Sequence, residues 1–184
     1  MAVEITEEFV WQNIPPRARD SHKGTFGSVL AVAGSAFYRG AALLAAEGAL
    51  RTGAGIVTLA SVEPVVSAVV TRLPECCLCP CKEGAQGGIA PENVPLLRRQ
   101  KATVLLLGPG LGGTAQSAAR ATESRTLVQQ LGQVGIPLSV MPNAGYPVVT
   151  RTQVQYRGKP DYFASELARL AAEGVRILGG CCGT

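Results

Sequence analysis

The sequence predicts an α/β fold: a three-layer α/β/α sandwich built on a mostly parallel sheet of five or six strands. Three observations carry that expectation. Apolar runs of strand length alternate with longer stretches of helical period, the rhythm of repeated βα units. Most of the short runs are continuously apolar rather than alternating, as a parallel sheet covered by helices on both faces requires. The joins between run and helix are rich in glycine, which tight βα turns use for backbone freedom.

The candidate strands, in order, are "SVLAVAGS" (28–35), "GIVTLAS" (55–61), "ECCLCPC" (75–81), "TVLLLGPG" (103–110), "PLSVMPN" (137–143) and "VRILGGC" (175–181). Helices are expected between them at about 39–53, 63–72, 91–100, 114–132 and 161–173. The first carries Glu47 and Arg51 four residues apart, an ion pair that supports a helix modestly. The last opens at Pro160 and Asp161 and stops at Gly174. The segment 81–93, "CKEGAQGGIAPEN", is the most loop-like, and its length alone would allow a surface excursion. No internal repeat or low-complexity linker is present.

A chain of 184 residues suits one domain, 1–184, with a sizeable core. Hydrophobic residues make up 47% and charged residues 16%, a globular composition. The net charge of +4 is mild and no block of five like charges occurs, so neither a nucleic acid nor a membrane surface is expected as partner. No stretch approaches the roughly 20 apolar residues of a spanning helix. The N-terminal segment is acidic where a secretory peptide would be basic, which reads as cytoplasmic. In that reducing setting the six cysteines are expected as buried thiols or metal ligands rather than disulfides.

Two glycine turns draw attention first. Gly34 ends the first strand and Gly40 begins the following helix, so backbone N–H groups would face out from the carboxyl end of the sheet. Gly108, Gly110 and Gly112 form a second such turn after the fourth strand. Together they would cradle a phosphate or nucleotide; alternatively the glycines only permit tight turns. Neither turn fits the dinucleotide fingerprint or the Walker pattern.

The run "HKGTFGSVLAVAGSAFYRGAALLAAEGALRTGAGIVTLA" (22–60), then "LPE" (73–75) and "TVLLLGPGLGGT" (103–114), resembles the N-terminal part of the ADP-dependent NAD(P)H-hydrate dehydratases. These are ribokinase-like repair enzymes that return hydrated nicotinamide nucleotides to NAD(P)H. The resemblance covers about residues 1–125 and implies a ribokinase-like arrangement of the first four strands. It also implies ADP or ATP as cofactor and a nicotinamide nucleotide as ligand, with the hydrate against Ala41 and Gly110. The family's later segments, an Asp-Ala-Asp strand end, a Thr-Pro-His-Pro-Gly-Glu stretch and a Gly-Thr-Gly-Asp anion hole with its acid/base, have no counterpart here. Turnover by these 184 residues alone is therefore not expected.

From about residue 136 the resemblance changes. "IPLSVMPNAGYPVV" and "QYRGKPDYFASELARLAAEGVRILGGCCGT" are similar to the end of the homocysteine S-methyltransferase barrel, covering 136–184, so the chain reads as a chimera joined within 115–137. By that resemblance Cys181 and Cys182 are two of three zinc ligands, and Asn143 lies in a loop near the substrate. Zinc needs at least three ligands, so a third would have to come from Cys77, Cys79 or Cys81, should strands 75–81 and 175–181 meet at their ends. His22, the lone histidine, is expected to order the N-terminal segment rather than catalyse. Three functions follow: a hydrate dehydratase lacking its catalytic half, a nucleotide-binding module or structural fusion without activity, and a zinc methyltransferase remnant. A strand added at the wrong edge would favour self-association, so a homo-oligomer is left open.

Overall fold

Six strands lie side by side, all parallel, in the order β3-β2-β1-β4-β5-β8. They are β1 (Ser28–Val32), β2 (Ile56–Val62), β3 (Cys77–Cys81), β4 (Val104–Leu107), β5 (Leu138–Val140) and β8 (Val175–Leu178). In this computed structural model the described residues are 4–14, 16–111, 126–127, 129–131, 135–140, 148–149, 151, 153–155 and 160–179. All six anticipated strands form, and their pairing closes the three-layer α/β/α architecture anticipated above. Two further strands went unforeseen: β6 (Val148–Val149) and β7 (Val154–Gln155) pair antiparallel outside the main sheet.

The central strands are continuously apolar because both of their faces are covered. In β1, Leu30, Ala31 and Val32 are buried, and in β2 every residue from Leu59 to Val62 is. Val29 pairs with Val104 and Val32 with Leu107, and Leu105 in turn pairs with Leu138. Each helix buries a small or branched stripe against this sheet. Helix α2 (Arg39–Arg51) uses Ala42 and Ala46, one turn apart, whose small side chains let the helix approach β1 and β2 closely. Its outer face carries the expected Glu47–Arg51 pair at 2.6 Å, exposed enough to contribute little. Helix α3 (Glu63–Val69) buries Val65, Val66 and Val69, and the short α4 (Val94–Arg98) buries Val94 and Leu97. The final helix, Pro160–Ala172, packs beside β8. Of the helix expected over 114–132, residues 126–127 and 129–131 are described and helical, with Leu127 and Leu131 buried.

At the N-terminus, α1 (Glu7–Asn13) is capped by the Thr6 side chain and buries none of its residues. The chain is then drawn onto the body by Arg17, which donates to the Gly53 carbonyl and lies 4.2 Å from the Phe26 ring centroid. His22 plays the local role expected of it. Its Nδ1 accepts from the Gly24 N–H at 3.1 Å, and Thr25 Oγ1 accepts from the His22 N–H, closing a reciprocal cap on the turn Lys23–Phe26.

The segment 81–93 departs from expectation. It folds back on the body instead of running out as a surface excursion. Gly87, Gly88, Ile89 and Ala90 are buried, and Glu83 and Ile89 form an antiparallel bridge. The fastening is the buried Asn93 side chain. Its Oδ1 accepts from the Lys82 N–H at 2.8 Å, while its Nδ2 donates to the Lys82 and Ala90 carbonyls at 2.9 and 2.7 Å. One side chain thereby supplies the acceptor for the Lys82 N–H and adds a second donor to the Lys82 and Ala90 carbonyls, which also accept from the Ala90 and Asn93 N–H groups.

Candidate functional site

The strand order dictates where to look. From β1 the chain winds outward through β2 to β3, then returns to the other side of β1 with β4 and winds outward again. The direction reverses between β1 and β4, and open α/β sheets bind ligands in the crevice outside the carboxyl ends at that point. The two glycine turns singled out from the sequence are the ones that meet there. The Gly34 N–H donates to the Pro109 carbonyl at 2.7 Å and the Gly108 N–H to the Val32 carbonyl at 3.3 Å, so the turns are tied to each other directly.

Glycine is demanded at both turns by backbone and by space. Gly34 sits at φ 82°, where a Cβ would lie 2.8 Å from the Ala42 Cβ. Gly110 sits at φ 67°, where a Cβ would lie 2.7 Å from the Ala41 Cβ and 2.8 Å from the Tyr38 carbonyl oxygen. The close approach that permits tight turning also presses the β4 turn onto the first turn of α2, bringing Gly34, Gly110 and Ala41 into one cluster. Gly40 differs: a Cβ there would meet nothing within 4 Å. Its missing side chain leaves open ground beside the start of α2, which no side chain caps. The first N–H groups of a helix have no intrahelical acceptors, so this end of α2 suits an anion. Arg39 brings a guanidinium to the same turn, its Nε donating to the Ala36 carbonyl at 3.1 Å. Gly112 lies outside the described residues.

The refolded 81–93 segment supplies a third wall that sequence reasoning missed. The Ala36 N–H donates to the Gly87 carbonyl at 2.8 Å, and the Gly87 backbone lies against the Phe37 ring and the Ala36 methyl. Two serines were also missed. Ser61 Oγ donates to the Ala33 carbonyl beneath the β1 turn. Ser35 is 1% exposed, and its Oγ has no hydrogen-bond partner among the described residues. Neither 34–41 nor 108–111 contains a carboxylate or a histidine. The two turns thus offer backbone donors, a guanidinium and a hydroxyl to a ligand.

The proposed meeting of the two cysteine strands is overturned by the sheet order. β3 and β8 occupy opposite edges, five strand spacings apart. At about 4.8 Å per spacing that is roughly 24 Å across the sheet, far beyond any shared coordination sphere. Cys181 and Cys182 themselves lie outside the described residues. Cys76, Cys79 and Cys81 are buried free thiols and Cys77 is exposed. Burial pushes the Cys76 and Cys79 thiols up, and lifts Cys81, beside Cys79, to about 12. Among the described residues no group of three metal-binding side chains occurs, and no helix is long and apolar enough to cross a membrane. A separate concavity lined by Glu7, Glu8, Trp11 and Gln12 belongs to α1 alone and shares nothing with the crevice.

A six-stranded parallel sheet with its site at the β1/β4 reversal defines a ribokinase-like α/β protein. The same fold is found in a ribokinase-like superfamily protein of Enterococcus faecalis, with a TM-score of 0.53 over 76% of this chain and 52% of that one, at 22% identity. The family model for NAD(P)H-hydrate dehydratase matches residues 29–132, and the chain belongs to that family. It is 39% identical over 111 residues to the ADP-dependent (S)-NAD(P)H-hydrate dehydratase of Listeria monocytogenes, covering 59% of this chain and 37% of the relative. It is 43% identical over 103 residues to the bifunctional NAD(P)H-hydrate repair enzyme of Coxiella burnetii, covering 56% of this chain and 20% of that one. The crystal structure of the Bacillus subtilis ADP/ATP-dependent dehydratase, obtained with ATP and Mg2+, superposes with a TM-score of 0.57 at 29% identity, over 75% of this chain and 44% of that one. The chain therefore spans less than half the length of these dehydratases. A second family model, homocysteine S-methyltransferase, matches residues 112–184.

Proposed function

We propose that these 184 residues form the nicotinamide-nucleotide-binding part of an ADP-dependent NAD(P)H-hydrate dehydratase, able to hold nucleotide but not to turn it over by themselves. The observation that carries the reading is the cluster of Gly34, Ala41 and Gly110 at the reversal point of the sheet, inside the segment that matches the family. The hydrate would lie against Ala41 and Gly110, and the uncapped start of α2 with Gly40 and Arg39 fits a phosphate of that nucleotide or of ADP or ATP. The absence of a carboxylate or histidine from these turns supports binding without proton transfer. Isothermal titration of the full chain with NADH and with ADP checks this. Heat of binding at up to millimolar ligand, with no ADP-stimulated recovery of NADH from its hydrate above background, is the expected outcome. No heat with either nucleotide rejects the reading.

A chimeric origin has its own support. The second family model begins at residue 112 and the first ends at 132, and β5, from the second region, takes the place beside β4. We infer that the later strands come from a methyltransferase-like parent and complete the sheet structurally. A zinc methyltransferase activity is not favoured, since the β3 cysteines lie at the far edge from β8 and supply no third ligand.

A further inference from the structure

The Ser35 hydroxyl is a buried polar group that finds no partner among the described residues. It stands at the junction of all three walls of the crevice. On one side of it, the Gly34 N–H is bonded to Pro109 of the β4 turn. On the other, the Ala36 N–H is bonded to Gly87 of the covering segment, and the Ser35 carbonyl accepts from the Tyr38 N–H at the start of α2. The main chain around residue 35 is therefore fixed by three separate turns while its side chain is left over. Ser61, one strand away, shows the alternative: its hydroxyl is equally buried and finds the Ala33 carbonyl. A hydroxyl in a stable protein interior is normally paired, and an alanine would fit the same space at lower free energy.

We propose that Ser35 is a ligand-binding residue whose hydroxyl gains its partner from the polar edge of the nicotinamide nucleotide, an inference that rests on the binding reading above. The Ser35 carbonyl accepts from the Tyr38 N–H, and Tyr38 in turn lies against Gly110, the proposed hydrate contact, so residue 35 is linked through Tyr38 to the nicotinamide side of the crevice. Reaching it requires the covering segment to lift from Ala36. The segment is held against Ala36 by the backbone hydrogen bond from its N–H to Gly87 and by the apolar contact of Phe37 with Gly87. Phe37 is itself exposed, so that contact is shallow. Entry of the nucleotide would thus exchange the cover for the ligand and satisfy the serine in the same step.

The test compares Ser35→Ala with the unchanged chain by thermal unfolding without ligand and by titration with NADH, with ADP as control. If the hydroxyl is reserved for ligand, the variant melts higher, by about 2–4 °C, because it no longer buries an unpaired polar atom. It also binds NADH roughly tenfold more weakly, with ADP affinity unchanged. A Ser35→Cys variant, isosteric with a weak donor, falls between the two in affinity. A melting temperature lowered in Ser35→Ala overturns the inference by itself, since it shows that the hydroxyl is already paired in the free protein. Equal NADH affinity in both proteins also overturns it while leaving the binding reading intact. Failure of the unchanged chain to bind either nucleotide overturns both.

Discussion

Gly110 and Gly40 separate two uses of the same residue type. At Gly110 the positive φ and the approach of the Tyr38 carbonyl make any side chain a steric fault, so Gly110→Ala is expected to cost about 1–3 kcal/mol in urea unfolding as well as binding. At Gly40 an alanine meets only open space on a helix, so Gly40→Ala is expected to stabilise by about 0.5–1 kcal/mol. It should nevertheless weaken nucleotide binding if the start of α2 receives a phosphate. Parallel denaturation and titration of the two variants reads both effects. Both glycines were visible in the sequence because each stands in a glycine-rich join between an apolar run and a helical stretch. Ser35 was not, since serine is common in turns and its lack of a partner exists only once three turns converge.

The elements divide the same way. β1, β2 and β4 were legible because a strand covered on both faces has no reason to be polar at any position, and few other elements leave so unbroken an apolar run. The packing of the 81–93 segment was not legible because what holds it is the Asn93 amide and a few isolated backbone hydrogen bonds, none of which leaves a periodic pattern. Asn93 resembles any loop residue until its side chain is seen answering Lys82 and Ala90. Replacing it removes three hydrogen bonds and takes the acceptor from the Lys82 N–H, so Asn93→Ala is expected to destabilise by about 2–3 kcal/mol. The released cover over Ala36 should then show faster amide hydrogen exchange at Gly87 and Gly88 than at the β1 and β2 amides. Unchanged exchange at those glycines would refute the idea that Asn93 fastens the cover.

For the molecule as a whole, the buried thiols near the β3 edge make stability depend on alkaline pH. Cys81 is held protonated to about pH 12, against an ordinary value of 9.0. The unfolded chain therefore loses this proton first as pH rises, so the stability contributed by the neutral thiol is complete below pH 9 and is lost between 9 and about 12. Urea midpoints are expected to fall from about pH 8 to about pH 10.5, and those of Cys81→Val to fall less steeply; parallel slopes would assign the alkaline loss to other groups. The sheet order carries a different consequence. The crevice opens between β1 and β4, the two innermost strands, while β5 and β8 are laid on beyond β4 at one rim. A sheet organised from its centre outward keeps its recognition surface insulated from turnover at its margins. On the chimeric reading proposed above, strands from an unrelated parent replace the margin while the β1/β4 surface stays intact.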